Sequence, residues 1–194
     1  MKKLMLTAAI VCATVMAQAA TTKWAATTGD NIIYASGTTD TPLSSGTAYL
    51  FCSYTADTAT KATIYSQDDI LNEFKKGTDL STLNYQKDLT VGENGKIAST
   101  PFTSEDFATS KQTKFFFALV KDDEIYISSV ATKTSNGTTQ QTMSFNPTTT
   151  SQAPAMDIDD GYKSAGWYGA VPEPTSGLLL LLGVAGLALK RKRA

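Results

Sequence analysis

Apolar residues in this chain come mostly in short runs rich in β-branched and aromatic side chains. Thr, Ser, Gly, Asn and Asp separate them, a pattern that predicts β-structure joined by loops. The strongest unit runs from Lys114 to Lys133. Phe115-Phe116-Phe117-Ala118-Leu119-Val120 and Glu124-Ile125-Tyr126-Ile127-Ser128-Ser129-Val130 flank Lys121-Asp122-Asp123, which predicts an antiparallel hairpin at the centre of a sheet. Further strands are expected over 31–35, 47–54, 61–65, 89–91, 96–100 and 140–145, with a turn at Glu93-Asn94-Gly95 where Asn-Gly supplies positive φ. One helix is signalled clearly. Ser66 and Asp69 form a capping pair, Ile70, Leu71 and Phe74 make an apolar face, Lys75 and Lys76 suit the C-terminal end, and Gly77 can stop it. A second helical turn is expected over 104–109. The segment 146–170, with Pro147, Pro154, Gly161, Gly166 and Gly169, reads as a linker or stalk. The expected fold is mainly β: a sandwich-like antiparallel sheet domain over 20–145 with one short inserted helix, followed by a C-terminal transmembrane helix.

Both ends of the chain carry apolar stretches of another kind. Residues 1–19 have a positive start (Lys2, Lys3), an apolar run from Leu4 to Met16 and small residues at Ala17 and Ala19, the pattern of a signal peptide cut after Ala19 by signal peptidase. Cys12 lies inside that run and leaves with it. Residues 176–189 are uncharged and mostly apolar, and Lys190, Arg191, Lys192 and Arg193 follow at once. A basic cluster beside an apolar helix stays on the cytoplasmic side, so the domain is expected outside. At ~1.5 Å per residue this helix is short for a ~30 Å hydrocarbon layer, which it would meet by thinning the bilayer and snorkelling its basic ends. Before it stands Val171-Pro172-Glu173-Pro174, where two prolines favour extended, accessible backbone.

The order Pro-Glu-Pro, short apolar helix and terminal basic cluster resembles the PEP-CTERM sorting signal of Gram-negative bacteria, over 171–194. The resemblance implies recognition by an exosortase, a membrane-embedded cysteine transpeptidase that cuts near Pro172-Glu173-Pro174. These residues would be its substrate site. The resemblance also implies an envelope or exopolysaccharide setting, with the protein first held in the inner membrane and then placed at the cell surface.

Charge sharpens this picture. The whole chain has 17 Lys and Arg against 18 Asp and Glu. Between residues 20 and 170, however, seventeen acidic residues stand against eleven lysines and no arginine, a net charge of −6. An acidic domain without arginine offers nothing to neutralise phosphates, so no nucleic-acid partner is expected. The chain has no histidine, which removes Ser-His-Asp and Cys-His nucleophiles and His-based metal sites. Cys52 is the single cysteine beyond the signal peptide and is expected as a buried, inert thiol on the same strand face as Leu50, with an intermolecular disulfide as the alternative.

The remaining candidate chemistry is sparse. Asp157, Asp159 and Asp160 cluster as calcium ligands do, but no distal bidentate Glu follows, so a solvated acidic linker is the better reading. Asp68-Asp69 and Asp122-Asp123-Glu124 contain the carboxylates that glycoside hydrolysis requires, yet a helix N-terminus and a turn account for them. Trp24, Trp167 and Tyr168 fit packing or interfacial anchoring better than sugar stacking. Asn136-Gly137-Thr138 matches a glycosylation sequon and is also a turn, and the Thr-rich segments suit O-glycans. No metal, cofactor or catalytic residue is assigned. The expected role is that of a non-catalytic surface protein with secretion machinery, exosortase, membrane and exopolysaccharide as partners. A carbohydrate-active enzyme using paired carboxylates, and an uncut membrane-tethered binding module, stand as alternatives.

Overall fold

The computed structural model describes residues 21–147 and 165–169. Their elements follow in the order β1 (Thr22–Thr27), β2 (Gly46–Thr55), α1 (Gln67–Lys75), a 3-10 turn (Leu80–Thr82), β3 (Lys87–Val91), β4 (Thr100–Ser104), β5 (Gln112–Lys121), β6 (Glu124–Ile127), β7 (Ala131–Thr134), β8 (Gln141–Ser144) and β9 (Gly166–Gly169). The protein is mainly β, with largely antiparallel pairing and one short helix. One sheet has the order β4-β1-β8 and the other β3-β2-β5-β6-β9, with β7 also pairing β5. The β1–β8 pair is parallel, a departure from the all-antiparallel expectation, because a long chain excursion separates the two strands.

Alternation along the central strands explains the layering. Leu50 and Cys52 of β2, Phe115, Phe117 and Leu119 of β5, Tyr126 of β6 and Trp167 of β9 share one buried cluster with Trp24 of β1. The odd-and-even partners Phe51, Phe116, Ala118, Ile125 and Ile127 point the other way and pack with Ile70 and Leu71 of α1. The large sheet is therefore covered on both faces, by the small sheet on one side and by the helix on the other. Trp24 makes the inter-sheet contact, meeting Phe115 edge-on at 5.1 Å between ring centroids.

The hairpin forms as expected, but its second arm is interrupted. Ala118 pairs with Ile127 and Phe115 with Ala131, so three residues, Ser128 to Val130, oppose two on β5. This is a bulge. The Ser128 hydroxyl takes over the ladder there, accepting from the Phe117 amide at 2.8 Å. The bulge lets β6 pair with β9 while β7 returns to β5.

Other expectations fail for stated reasons. The stretches 31–35 and 61–65, and 96–100 up to the start of β4 at Thr100, form only isolated bridges, Tyr34 to Pro42, Cys52 to Ile64 and Val91 to Ile97. Their backbone bonds go to loops instead, as when the Ile33 amide donates to Gly95 O at 2.8 Å and Ile33 O accepts from the Leu43 amide at 2.9 Å. The fourth strand begins at Thr100 and places Pro101 on a sheet edge, where a missing amide is tolerated. Residues 104–109 form no helix. Asp57 ties that loop down, accepting from the Ala59 and Ala108 amides at 3.0 and 2.8 Å. The stretch assigned to a linker, 146–170, contains β9, because Trp167 has an apolar slot to fill and Gly166–Gly169 pairs with β6. Among the described residues no helix is long and apolar enough to cross a membrane; the helix expected over 176–189 lies outside them.

Candidate functional site

The carboxylates that might serve chemistry sit in turns and caps. Asp69 completes a capping box: its Oδ2 accepts from the Ser66 amide at 2.8 Å, and its own amide donates to Ser66 Oγ at 3.0 Å. Asp122 and Asp123 form the two-residue loop between β5 and β6, with Lys121 opposite Glu124. Asp122 adopts φ 53, the left-handed conformation that a tight hairpin demands at its first loop residue. These acids therefore have structural employment.

Three concave regions bear on ligand chemistry. A cleft of about 520 Å³ between the end of α1 and the large sheet is lined by Tyr49, Phe74, Thr78, Asp79 and Val120 among others. Burial, and then the Asp79 carboxylate, raise the Tyr49 phenol above its ordinary range. A shallower hollow of about 710 Å³ is lined by uncharged, mostly polar residues, including Ser135, Asn136, Thr138 and Gln141. Asn136 Oδ1 accepts from both the amide and the hydroxyl of Thr138 at 2.9 Å, so the sequon is a closed Asx turn. A depression of about 330 Å³ holds Asp122, Glu124 and Trp167. Its two acids belong to one turn rather than to opposite walls, unlike the facing pair that glycoside hydrolysis uses. Among the described residues, no three His, Cys, Asp or Glu side chains gather as a metal site.

Cys52 is buried, as its strand position predicts, and burial pushes its thiol up to about 12. It is thereby a poor nucleophile and a poor disulfide partner in the folded state. Trp167 and Tyr168 pack on opposite faces of the large sheet. Trp167 is buried, with its ring N–H donating to Tyr34 O at 2.8 Å and its ring edge-on to Tyr126 at 5.5 Å; Tyr168 packs on the helix-covered face. Both are packing residues. The sequence signals β9 only by a pair of aromatics between two glycines, Gly166-Trp167-Tyr168-Gly169, inside the stretch whose prolines and glycines suggest a linker.

The remaining sequence-defined sites precede β1, follow β9 or, for the acidic cluster, fall between β8 and β9 in the chain. Ala17 and Ala19, the acidic cluster Asp157 to Asp160, Val171-Pro172-Glu173-Pro174 and Lys190 to Arg193 all lie outside the described residues. What the structure gives is their attachment point. Gly169, at the end of β9, pairs with Glu124 beside the β5–β6 turn, so the C-terminal tail begins at that end of the large sheet.

No curated protein and no solved structure matches the chain. A family model does match its end: residues 170–193, starting directly after β9, match the PEP-CTERM protein-sorting motif.

Proposed function

We infer that this chain is an exported surface protein, held by its C-terminal tail and sorted by an exosortase, whose β domain works without catalysis as an interaction component of the envelope or exopolysaccharide matrix. The tail match over 170–193 carries the reading. The signal-peptide pattern of residues 1–19 and the apolar segment 176–189 with its basic stop support the same route and orientation. The Asp69 carboxylate engaged in a helix cap, the grouping of Asp122, Asp123 and Glu124 at one hairpin, the buried thiol and the lack of histidine favour a non-catalytic domain over a carbohydrate-active enzyme. In the processing step, the cysteine of the sorting enzyme attacks a backbone carbonyl near Pro172 to Pro174. The tail leaves with the new amino terminus, and the resulting thioester passes to an acceptor amine or to water.

Intact mass and C-terminal peptide mapping of the protein recovered from the surface of its native organism test this reading. A new C-terminus near Pro172 to Pro174 is expected. A surface protein still ending at Ala194 would overturn it and leave an uncut, membrane-tethered binding module.

A further inference from the structure

The sorting motif has almost no spacer. β9 ends at Gly169 and the family match starts at residue 170. Pro172 is three residues beyond Gly169, so at ~3.5 Å per residue the two lie no more than about 10 Å apart. A transpeptidase must draw the chain on both sides of the scissile bond into its own cleft as free, extended backbone. On the upstream side that chain is β9 itself, which is hydrogen-bonded to β6 and holds Trp167 in the core. With β9 docked, the body of the folded domain stands against the bond to be cut.

We propose that β9 is a releasable strap latched by Trp167, and that it must leave β6 before the sorting tail is cut, so that the folded domain regulates its own processing. This rests on the exosortase reading above. Three features suit β9 to the role. It is four residues long, and among the described residues it stands at the end of the large sheet's strand order, next to β6, whereas β5 is paired along both sides. Short edge strands are the elements that open at least cost. Its deepest hold on the core is the Trp167 ring, whose N–H donates to Tyr34 O, while Tyr168 is only partly buried on the helix-covered face. Finally, a cut near Pro172 to Pro174 falls beyond Gly169, so the strap survives and redocks, and the released domain keeps its complete sheet.

A reversible lock tests the proposal. Glu124 and Gly169 are opposite partners in the β6–β9 ladder. Antiparallel partners lie ~4.5–5.5 Å apart at Cα, within the range a disulfide bridges. A Cβ at Gly169 meets nothing within 4 Å, so the substitution is accommodated. The full chain carrying Glu124→Cys with Gly169→Cys is expressed in the native organism, where export to an oxidising compartment closes the bridge. Buried Cys52 does not compete. Cut product, measured by C-terminal peptide mass, is expected to fall about tenfold or more, because cleavage of a transiently opened site follows the open population. Reductant, or a Gly/Ser spacer of about six residues after Gly169 in the same variant, is expected to restore it, which separates locking from misfolding. A locked variant with its disulfide verified and wild-type cutting would overturn the strap while leaving the sorting reading intact. A wild-type chain that is never cut would sink both.

Discussion

Tyr126 carries the least comfortable atom of the described core. Its hydroxyl is buried with no hydrogen-bond partner, while its ring stacks on Phe117 and receives the edge of Trp167. A buried, unpaired hydroxyl costs about 1–3 kcal/mol, and the ring alone would keep both aromatic contacts. Tyr126→Phe is therefore expected to stabilise the protein by about 1 kcal/mol, read as a higher urea midpoint at an unchanged slope. The same burial has a consequence at high pH. It raises the Tyr126 phenol from its ordinary 10.0, and it raises the Cys52 thiol from 9.0 to about 12. The unfolded chain gives up these protons near their ordinary values while the folded chain keeps them. Stability is thus complete below about pH 9 and falls as pH rises from there toward 12, by at most ~1.4 kcal/mol per pH unit for each group. In Tyr126→Phe the decline above pH 10 should be shallower, and an unchanged decline would show that the phenol is not held protonated by the fold.

At the scale of elements, glycines with similar backbone angles are held for different reasons. Gly77 ends α1 at φ 78 with open space where a Cβ would go, whereas Gly95 sits at φ 70 in the turn after Asn94, and its Cβ would stand 2.4 Å from Ile33 O. Ile33 cannot retreat, because its amide donates to Gly95 O and its carbonyl accepts from the Leu43 amide. Gly77→Ala should cost about 1 kcal/mol, the left-handed penalty alone. Gly95→Ala should cost well above ~2 kcal/mol, since strain adds to a clash with fixed backbone. Equal losses in urea titrations would refute the clash. These cases also mark what sequence could reveal. Ser66, Asp69 and Gly77 form a local code, and the helix they bound is the one observed. The apolar run of β5 likewise declares itself. β1 and β9 do not, because Thr22–Thr27 and Gly166–Gly169 are short, rich in Thr or Gly, and stabilised by partners far away in sequence, such as Ala25 with Pro101 and Trp167 with Tyr126. The reverse error arose over 31–35 and 61–65, where strand-like residues found loop partners instead of neighbours. The sorting tail was readable for the same reason as the helix: its parts are contiguous and need no fold to be recognised.

Across the whole molecule, the core is closed by a strand that arrives last. One aromatic path runs Phe145, Phe117, Tyr126, Trp167 through the space between the sheets, and Trp167 is its outermost member. Without that ring, Tyr126 is uncovered and the Tyr34 carbonyl loses its donor. Trp167→Ala in the full chain should cost about 3–5 kcal/mol, the scale for truncating a large buried aromatic. The loss need not be global. If β9 is only an edge element, removing its anchor frees β6 and leaves the cluster around Trp24, Phe107 and Phe115 packed. Hydrogen exchange distinguishes the two cases, since amides of β6 that face β9 would lose protection while those of β2 and β5 keep theirs. Fluorescence of the remaining Trp24 would then report an unchanged small-sheet interface until the global transition. Collapse of protection across β2 and β5 together would instead mean that the strand at the end of the chain is an integral part of the domain's cooperative unit.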